Sequence, residues 1–454
     1  MNIKISIIMP SLNVGRFIEE CIQSVISSTL EDIEIICVDA GSTDGTTDII
    51  KQYEKKDPRI RLIEVDNKSY GYQVNVGINN ALGEYIGIVE TDDLILPYTY
   101  ECLYNLAQKN GYPDIVKGDY EIFMYDPAIN EIIIRKMATF DTRRKAYYRK
   151  IINSKKHPEL LLWDTYIWKG IYKKEFLDSK GIRLNESKGA AFQDNGFLFQ
   201  TIGLADSIYY TDDVVYRYRR DNENASVFSN RGYFYVNEEY GFIRRFIERG
   251  CESLAHLKPF YVLRLFSMIR FRNDVSLYAH LPAEHIKEGL KINIDLLKLC
   301  EQNGWINYGL FSAEERFELG LYLKDIDLYA DYITEKHKLK AGQFDKLLEK
   351  LRQRKNIYLY GTGNIGSMAY YNLLRNNFQN ISGWCDSNKE LWNKQYMGIR
   401  IVPLDEVFKN YKAGEMTFVI TSPYNAIDMN GTLLENNISA DDIFFYINNG
   451  YFGL

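Results

Sequence analysis

Tyr85-Ile86-Gly87-Ile88-Val89-Glu90-Thr91-Asp92-Asp93-Leu94-Ile95-Leu96-Pro97 reads as a buried strand that ends in three acids and is closed by a proline. Carboxylates at the tip of an apolar strand are costly without a compensating charge. Their spacing suits a hard divalent cation shared with a phosphate, because such ions take one or two carboxylates together with phosphate oxygens. Two earlier strings have the same build. Ile5-Ser6-Ile7-Ile8-Met9-Pro10 is a short apolar strand that runs through Ser11-Leu12-Asn13 into a helical pattern on Ile18, Cys21, Ile22 and Val25. Ile33-Glu34-Ile35-Ile36-Cys37-Val38-Asp39 is followed by the turn Ala40-Gly41-Ser42-Thr43-Asp44-Gly45-Thr46 and another helix. With further apolar strands near Ile60 and Ile115, residues 1 to about 125 alternate strands and helices, as a parallel sheet requires. In such a sheet ligands sit at the carboxyl edge, where all these acids lie.

In this order and spacing the three strings resemble the family 2 nucleotide-sugar glycosyltransferases of the GT-A fold, of the bacterial surface-polysaccharide type. The resemblance covers roughly the first half of the chain. It departs from the family pattern at Ala40, where a second Asp of the turn is usual, and at Glu90, where the metal motif begins with Asp. It implies a metal-dependent, inverting transfer of sugar from a nucleotide-sugar, UDP by family habit, to a saccharide or lipid-linked acceptor in cell-surface polysaccharide synthesis. It also implies Asp92 as the ligand of Mn2+ or Mg2+, with Glu90 on the ribose or acting through water and Asp93 assisting. Asp39 would accept from the nucleobase imide, and Pro10 and Asn13 would line the donor. Asp39 equally suits a turn in which it satisfies backbone N–H groups.

The resemblance continues into Phe192-Gln193-Asp194-Asn195-Gly196-Phe197, where Asp194 matches the family's general base and would take the proton of the acceptor hydroxyl. Asp is also among the best helix N-caps, so the local sequence alone leaves both roles open; the order of the motifs favours the base. Lys68, in Asn67-Lys68-Ser69-Tyr70-Gly71, suits a phosphate contact or a solvated surface, and Gly71 would permit close backbone approach. Trp168 falls where the family lines its acceptor, and Arg217 or Arg219 where it clamps the diphosphate.

Composition narrows the class. The 454 residues are 46% hydrophobic, enough for several cores, and the net charge of -6 gives no reason to expect a nucleic-acid partner. The six cysteines show no Cys-x-x-Cys spacing and are expected to be reduced. The first strand opens almost at the N-terminus and no apolar run reaches the ~18 residues of a membrane span, so the reading expects no signal peptide and a cytoplasmic location, with peripheral contact at the inner face of the plasma membrane. The basic run Thr142-Arg143-Arg144-Lys145-Ala146-Tyr147-Tyr148-Arg149-Lys150 suits anionic lipid or a solvated helix face equally. Phe260–Arg272 is dense enough to lie on a membrane, but such a helix is more often core. The 36 tyrosines suit a saccharide surface, with ordinary packing the favoured reading.

The expected fold class is α/β. A GT-A domain spans 1–228, divided into a donor-binding half (1–125) and an acceptor half (126–228); a helical region follows (229–345), then a small Rossmann-like domain (346–454). That last domain carries Gly361-Thr362-Gly363-Asn364-Ile365-Gly366 between strand and helix, with Asp386 twenty residues on. Gly361, Gly363, Gly366 and Asp386 make a dinucleotide-type fingerprint for an unidentified nucleotide, although about a hundred residues leave no room for a separate substrate domain. The rival function is thus a nucleotide-binding oxidoreductase or sensor. Either C-terminal region could form an oligomer contact.

Overall fold

The computed structural model describes residues 3–126, 130–222, 229–423 and 425–446. The chain divides into two compact units, Met1–Tyr125 with Ile132–Ala330, and Asp126–Glu131 with Asp331–Leu454. The expected boundary at 228 lies outside the described residues.

The first unit begins with four strand–helix repeats: β1 (Ile5–Ser11), α1 (Ile18–Ile26), β2 (Ile33–Asp39), α2 (Thr46–Glu54), β3 (Ile60–Glu64), α3 (Tyr70–Asn80), β4 (Tyr85–Ile88) and α4 (Thr99–Lys109). All seven residues of β1 and of β2 are buried, which is why they read as near-continuous apolar runs. β3 lies at the sheet edge and buries only Ile60. The chain then forms β5 (Ile115–Asp126), β6 (Glu131–Met137), β7 (Ile151–Ile152), α5 (Leu160–Trp163), β8 (Gly170–Lys173), α6 (Lys174–Ser179), α7 (Gln193–Leu204) and β9 (Ile208–Arg219).

Sheet order is β3-β2-β1-β4-β8-β5-β9-β7, with β6 on β5. β8 is antiparallel to both β4 and β5, so a mainly parallel sheet carries an antiparallel insertion at its middle. β9 runs parallel to β5, but its register slips on either side of Asp119. Such slips bend a strand, and the far half of β9 reaches Leu94, which exchanges backbone bonds with Arg217. One core unites these strands with α1 and α4 through Ile7, Met9, Cys37, Tyr85, Tyr100 and Tyr216.

Five helices follow: α8 (Gly232–Arg249), α9 (Lys258–Tyr278), α10 (Ala283–Gln302), α11 (Ala313–Lys324) and α12 (Ile326–Arg352), within which one unit gives way to the other. α9 contains the dense apolar run and is core, burying Tyr261, Val262, Leu263, Leu265, Phe266 and Ile269. Among the described residues no helix is long and apolar enough to cross a membrane. Most of the largest fully buried side chains are tyrosines, so packing absorbs much of the tyrosine excess.

The second unit holds β10 (Asn356–Tyr360), α13 (Asn364–Arg375), β11 (Ile381–Cys385), the short hairpin β12 (Gln395–Tyr396) and β13 (Ile399–Arg400), α14 (Leu404–Asn410), β14 (Met416–Ile420), α15 (Ala426–Glu435) and β15 (Ile443–Phe445). Four parallel strands are ordered β11-β10-β14-β15. Alternate residues build two cores, Leu359, Trp384 and Val419 on one face, Tyr360, Cys385 and Phe418 on the other.

Gly71 permits a close backbone approach within the protein itself. A Cβ there would stand 2.0 Å from the Asn185 carbonyl oxygen, so the close approach is between two protein segments. Gly71→Ala is expected to destabilise the first unit by about 1–3 kcal/mol through overpacking, read as a lower urea midpoint at unchanged m-value.

Candidate active site

The acids after β4 occupy three different environments. Asp93 is wholly buried; its carboxylate accepts from the Tyr216 hydroxyl at 2.9 Å and the Arg219 backbone N–H at 2.7 Å. Burial, and after it the charge of Asp92, hold the Asp93 carboxyl well above the usual range. Asp93 therefore anchors the loop from within. Thr91 reinforces it by donating to the Pro10 carbonyl at 2.8 Å, which ties the tips of β1 and β4 together. Glu90 accepts from the Tyr70 hydroxyl at 2.5 Å, and its backbone N–H donates to the Tyr216 hydroxyl. Burial pushes its carboxyl up to about 8, against the Tyr70 bond, while the charges of Asp92 and Asp194 raise it further. Asp92 is half-buried and accepts from the Asn222 amide at 2.7 Å.

Asp194 is brought to these acids from the other side of the site. It stands in the first turn of α7, half-buried, and interacts electrostatically with Glu90, Tyr70 and Tyr172. Burial raises its carboxyl, and Arg264 of α9 opposes that rise. It does not cap the helix: the N-cap is Phe192, held at φ 68°, and makes no side-chain cap bond. The loop leading to α7 is pinned to the loop before α3, with Tyr70 N–H donating to Gly189 and Gly189 N–H donating to Lys68. Gln193 braces this loop from within by donating to Ser187 and Gly189.

The donor-side residues form a stapled pair of loops. Asn13, exposed at φ 55°, accepts from Thr43 N–H, while its own N–H donates to Ser42. Asp39 is fully buried and accepts from the Ser11 hydroxyl, the Ser42 hydroxyl and N–H, and the Thr47 hydroxyl. Both its oxygens are thus occupied by turn donors. Lys68 lines an open cavity of about 490 Å³ with Leu12, Asp66, Asn67, Lys188, Gly189, Arg231 and Tyr235. Lys188 and Arg231 were not singled out from sequence; Lys188 becomes a neighbour of Lys68 through the pairing of residues 68–70 with Gly189, and Arg231 joins the lining from the N-cap of α8.

Trp168 is 6% exposed and stacks between Tyr216 and Tyr166, with ring centroids 4.2 and 4.6 Å away. Arg217 pairs with Glu121 at 3.0 Å. Arg219 pairs with Glu20 at 2.6 Å, donates to the Asp92 carbonyl and lies over the Phe17 and Phe123 rings. Sequence reasoning also passed over a buried triad in which Asp164 binds Lys117 at 2.6 Å and Lys169 at 3.1 Å. Burial lowers the Lys117 ammonium to about 8.

Among the described residues no three His, Cys, Asp or Glu side chains are grouped as a metal cage. An ion that arrives with a diphosphate needs no such cage, only one or two carboxylates beside phosphate oxygens and water. Asp92 and Glu90, two residues before it, are the carboxylates after β4 that could serve such an ion.

In the second unit Gly361 takes φ 112°, and a Cβ on Gly366 would stand 2.1 Å from the Gly361 carbonyl oxygen. Gly363 has open space around it. The Asp386 carboxylate accepts from the Thr362 N–H and hydroxyl at 2.9 and 2.7 Å, and from Asn388 N–H.

Glu239 of α8 supports α7: it is buried and accepts from Gly196 N–H at 2.8 Å and from the Asn185 amide. Burial pushes its carboxyl up to about 8, far above its unfolded value. The folded chain therefore holds a proton there that the unfolded chain has released, and stability falls as pH rises from about 4.5 to about 8. Replacing Glu239 with Gln is expected to flatten that fall in a series of thermal melts; an unchanged slope would contradict the assignment.

Comparison with known proteins bears on the family and the fold. The profile described as Glycosyl transferase family 2 matches residues 6–168. Glycosyltransferase GlyG of Streptococcus pneumoniae is 30% identical over 222 residues, 48% of this chain and 70% of that protein. An uncharacterized glycosyltransferase of Bacillus subtilis, EpsJ, is 30% identical over 228 residues, 49% of this chain and 62% of its own length. Residues 1–349 of S. aureus TarS, solved with UDP-GlcNAc, share the fold at a TM-score of 0.55 and 17% identity, over 74% of this chain and 92% of that one. The chain belongs to glycosyltransferase family 2 and is a glycosyltransferase with a GT-A-like α/β fold.

Proposed function

We propose that the first unit transfers a sugar from a UDP-sugar to a saccharide or lipid-linked acceptor with inversion, Asp194 acting as the general base. The observation that carries this reading is that Asp194, in the first turn of α7, acts electrostatically on both Glu90 after β4 and the Tyr70 hydroxyl bonded to it. TarS, solved with UDP-GlcNAc, supports the choice of UDP. The Asp39 turn and the Asn13 loop would hold the nucleoside, with Lys68 on the open side of the cavity. Pro10 would shape the floor beneath it. Asp92, with Glu90 beside it, would hold Mn2+ or Mg2+, which when bound neutralises charge on the leaving diphosphate.

The remaining work falls to the chain's own groups. Asp194 Oδ2 would take the proton as the acceptor oxygen attacks the anomeric carbon from the face opposite the nucleotide. Holding both reactants in line would supply much of the rate. Arg217 and Arg219 are proposed as charges behind the diphosphate, their carboxylate partners keeping them in place. Trp168 would act on the acceptor side by fixing Tyr216. For the second unit, a Rossmann-like nucleotide site at Gly361, Gly363, Gly366 and Asp386 would have to displace the bonds between Asp386 and Thr362. The basic run near residue 145 remains a proposed peripheral membrane contact.

A screen of nucleotide-sugars for release of free nucleotide, with Mn2+ or Mg2+ and with EDTA, tests the scheme. Wild type should release UDP from one donor in a metal-dependent way. Asp194→Asn should lose about 10²–10⁴-fold in turnover while still binding UDP by calorimetry. Asp92→Ala should lose both metal stimulation and turnover; full activity in that variant would overturn the metal assignment. Gly363→Ala should leave release unchanged, since its new methyl meets open space.

A further inference from the structure

Asp194 is the carboxylate on which the proposed chemistry turns, and one of its oxygens is spoken for. Oδ1 accepts from the Asn195 backbone N–H and from the Asn195 side-chain amide, both at 3.0 Å. The same amide has its Oδ1 turned the other way, accepting from Arg264 Nη2 at 2.8 Å and from the Tyr240 hydroxyl at 3.5 Å. An amide presents donors on one side and an acceptor on the other, so a guanidinium on its oxygen fixes which side meets the carboxylate. We propose that Arg264 is a positioning residue for the base: acting through Asn195 it holds Oδ1 of Asp194 and leaves Oδ2 to the acceptor hydroxyl. This inference rests on the reading of Asp194 as the base.

The arrangement is specific in its origins. Arg264 comes from α9, beyond the segment that matches the family profile, and approaches α7 alongside α8. Among the described residues, Asp194 interacts electrostatically with Glu90 after β4, Lys117 of β5, Glu239 and Tyr240 of α8, Tyr70 of α3, Tyr172 of β8 and Arg264. Two of these are carboxyls raised to about 8 by burial. Lys117 is already paired with Asp164. Arg264 is thus the cation aligned with the base through a hydrogen-bonded amide, and its charge opposes the rise that burial gives the Asp194 carboxyl. A guanidinium stays charged across the working pH range, so its influence does not titrate away.

The test follows the Asp194 carboxyl carbon by NMR in the full chain labelled with 13C-aspartate, the signal being assigned by its disappearance in Asp194→Asn. Arg264→Met should raise the titration midpoint by one pH unit or more, a tenfold or greater change in protonation equilibrium. Arg264→Lys, which keeps the charge, should stay close to wild type. Asn195→Ala, which cuts the link without touching the arginine, should raise the midpoint as well and provides a second route if Arg264→Met does not fold. An unmoved midpoint in a folded Arg264→Met or Asn195→Ala variant overturns the proposal. The base reading fails separately, if Asp194→Asn retains metal-dependent nucleotide release.

Discussion

The site depends on one buried carboxylate. Asp93 follows β4, yet both groups that hold it belong to β9, which lies three strands away in the sheet order. At ~4.8 Å per strand that is about 14 Å along a flat sheet, too far for direct contact. The register slips between β5 and β9 bend the far half of β9 back across the strand ends until Tyr216 and Arg219 meet the acidic loop. Removing Asp93 from water is compensated by a hydroxyl, a backbone N–H and a raised proton affinity. The same Tyr216 hydroxyl accepts from Glu90 N–H, so a single phenol fixes consecutive parts of the loop.

That phenol is itself held by stacking. Tyr216 lies on Trp168, and Trp168 on Tyr166, as a column inside the core. The aromatic excess visible in the composition is therefore tied to the acidic motif indirectly, through the rigidity of β9. Changing the column would be felt at Glu90 and Asp92 without touching either carboxylate.

The first half of the fold was legible because apolar strand runs, buried throughout in β1, β2 and β4, alternate with helices of 3.6-residue periodicity. Local pattern alone determines such elements. β8 was not legible: four residues, Gly170–Lys173, inserted antiparallel between β4 and β5, carry no signal of partner or direction. The acids after β4 were readable as a group, but their division of labour was not. Asp93 faces inward and Asp92 outward because of where β9 arrives, and that is a long-range fact. Asp39 shows the same limit, since its four donors come from β1, the following turn and α2. In the C-terminal module the glycines were read from spacing, whereas the engagement of Asp386 by Thr362 depends on the pairing of β10 with β11.

Arg264 lies at the end of the same line of reasoning. Burial raises the proton affinity of a carboxylate and a nearby cation lowers it, and nothing within the first turn of α7 supplies a cation. The cation has to come from another element, and here it comes from a helix seventy residues further along the chain. The parallel sheet and its loops group the acids after β4, and under the proposed reading the fitness of Asp194 as a base would depend on how α8 and α9 pack against α7. Under the proposed reading, competence as a base would be a property of the helical region as much as of the sheet that carries the family's motifs.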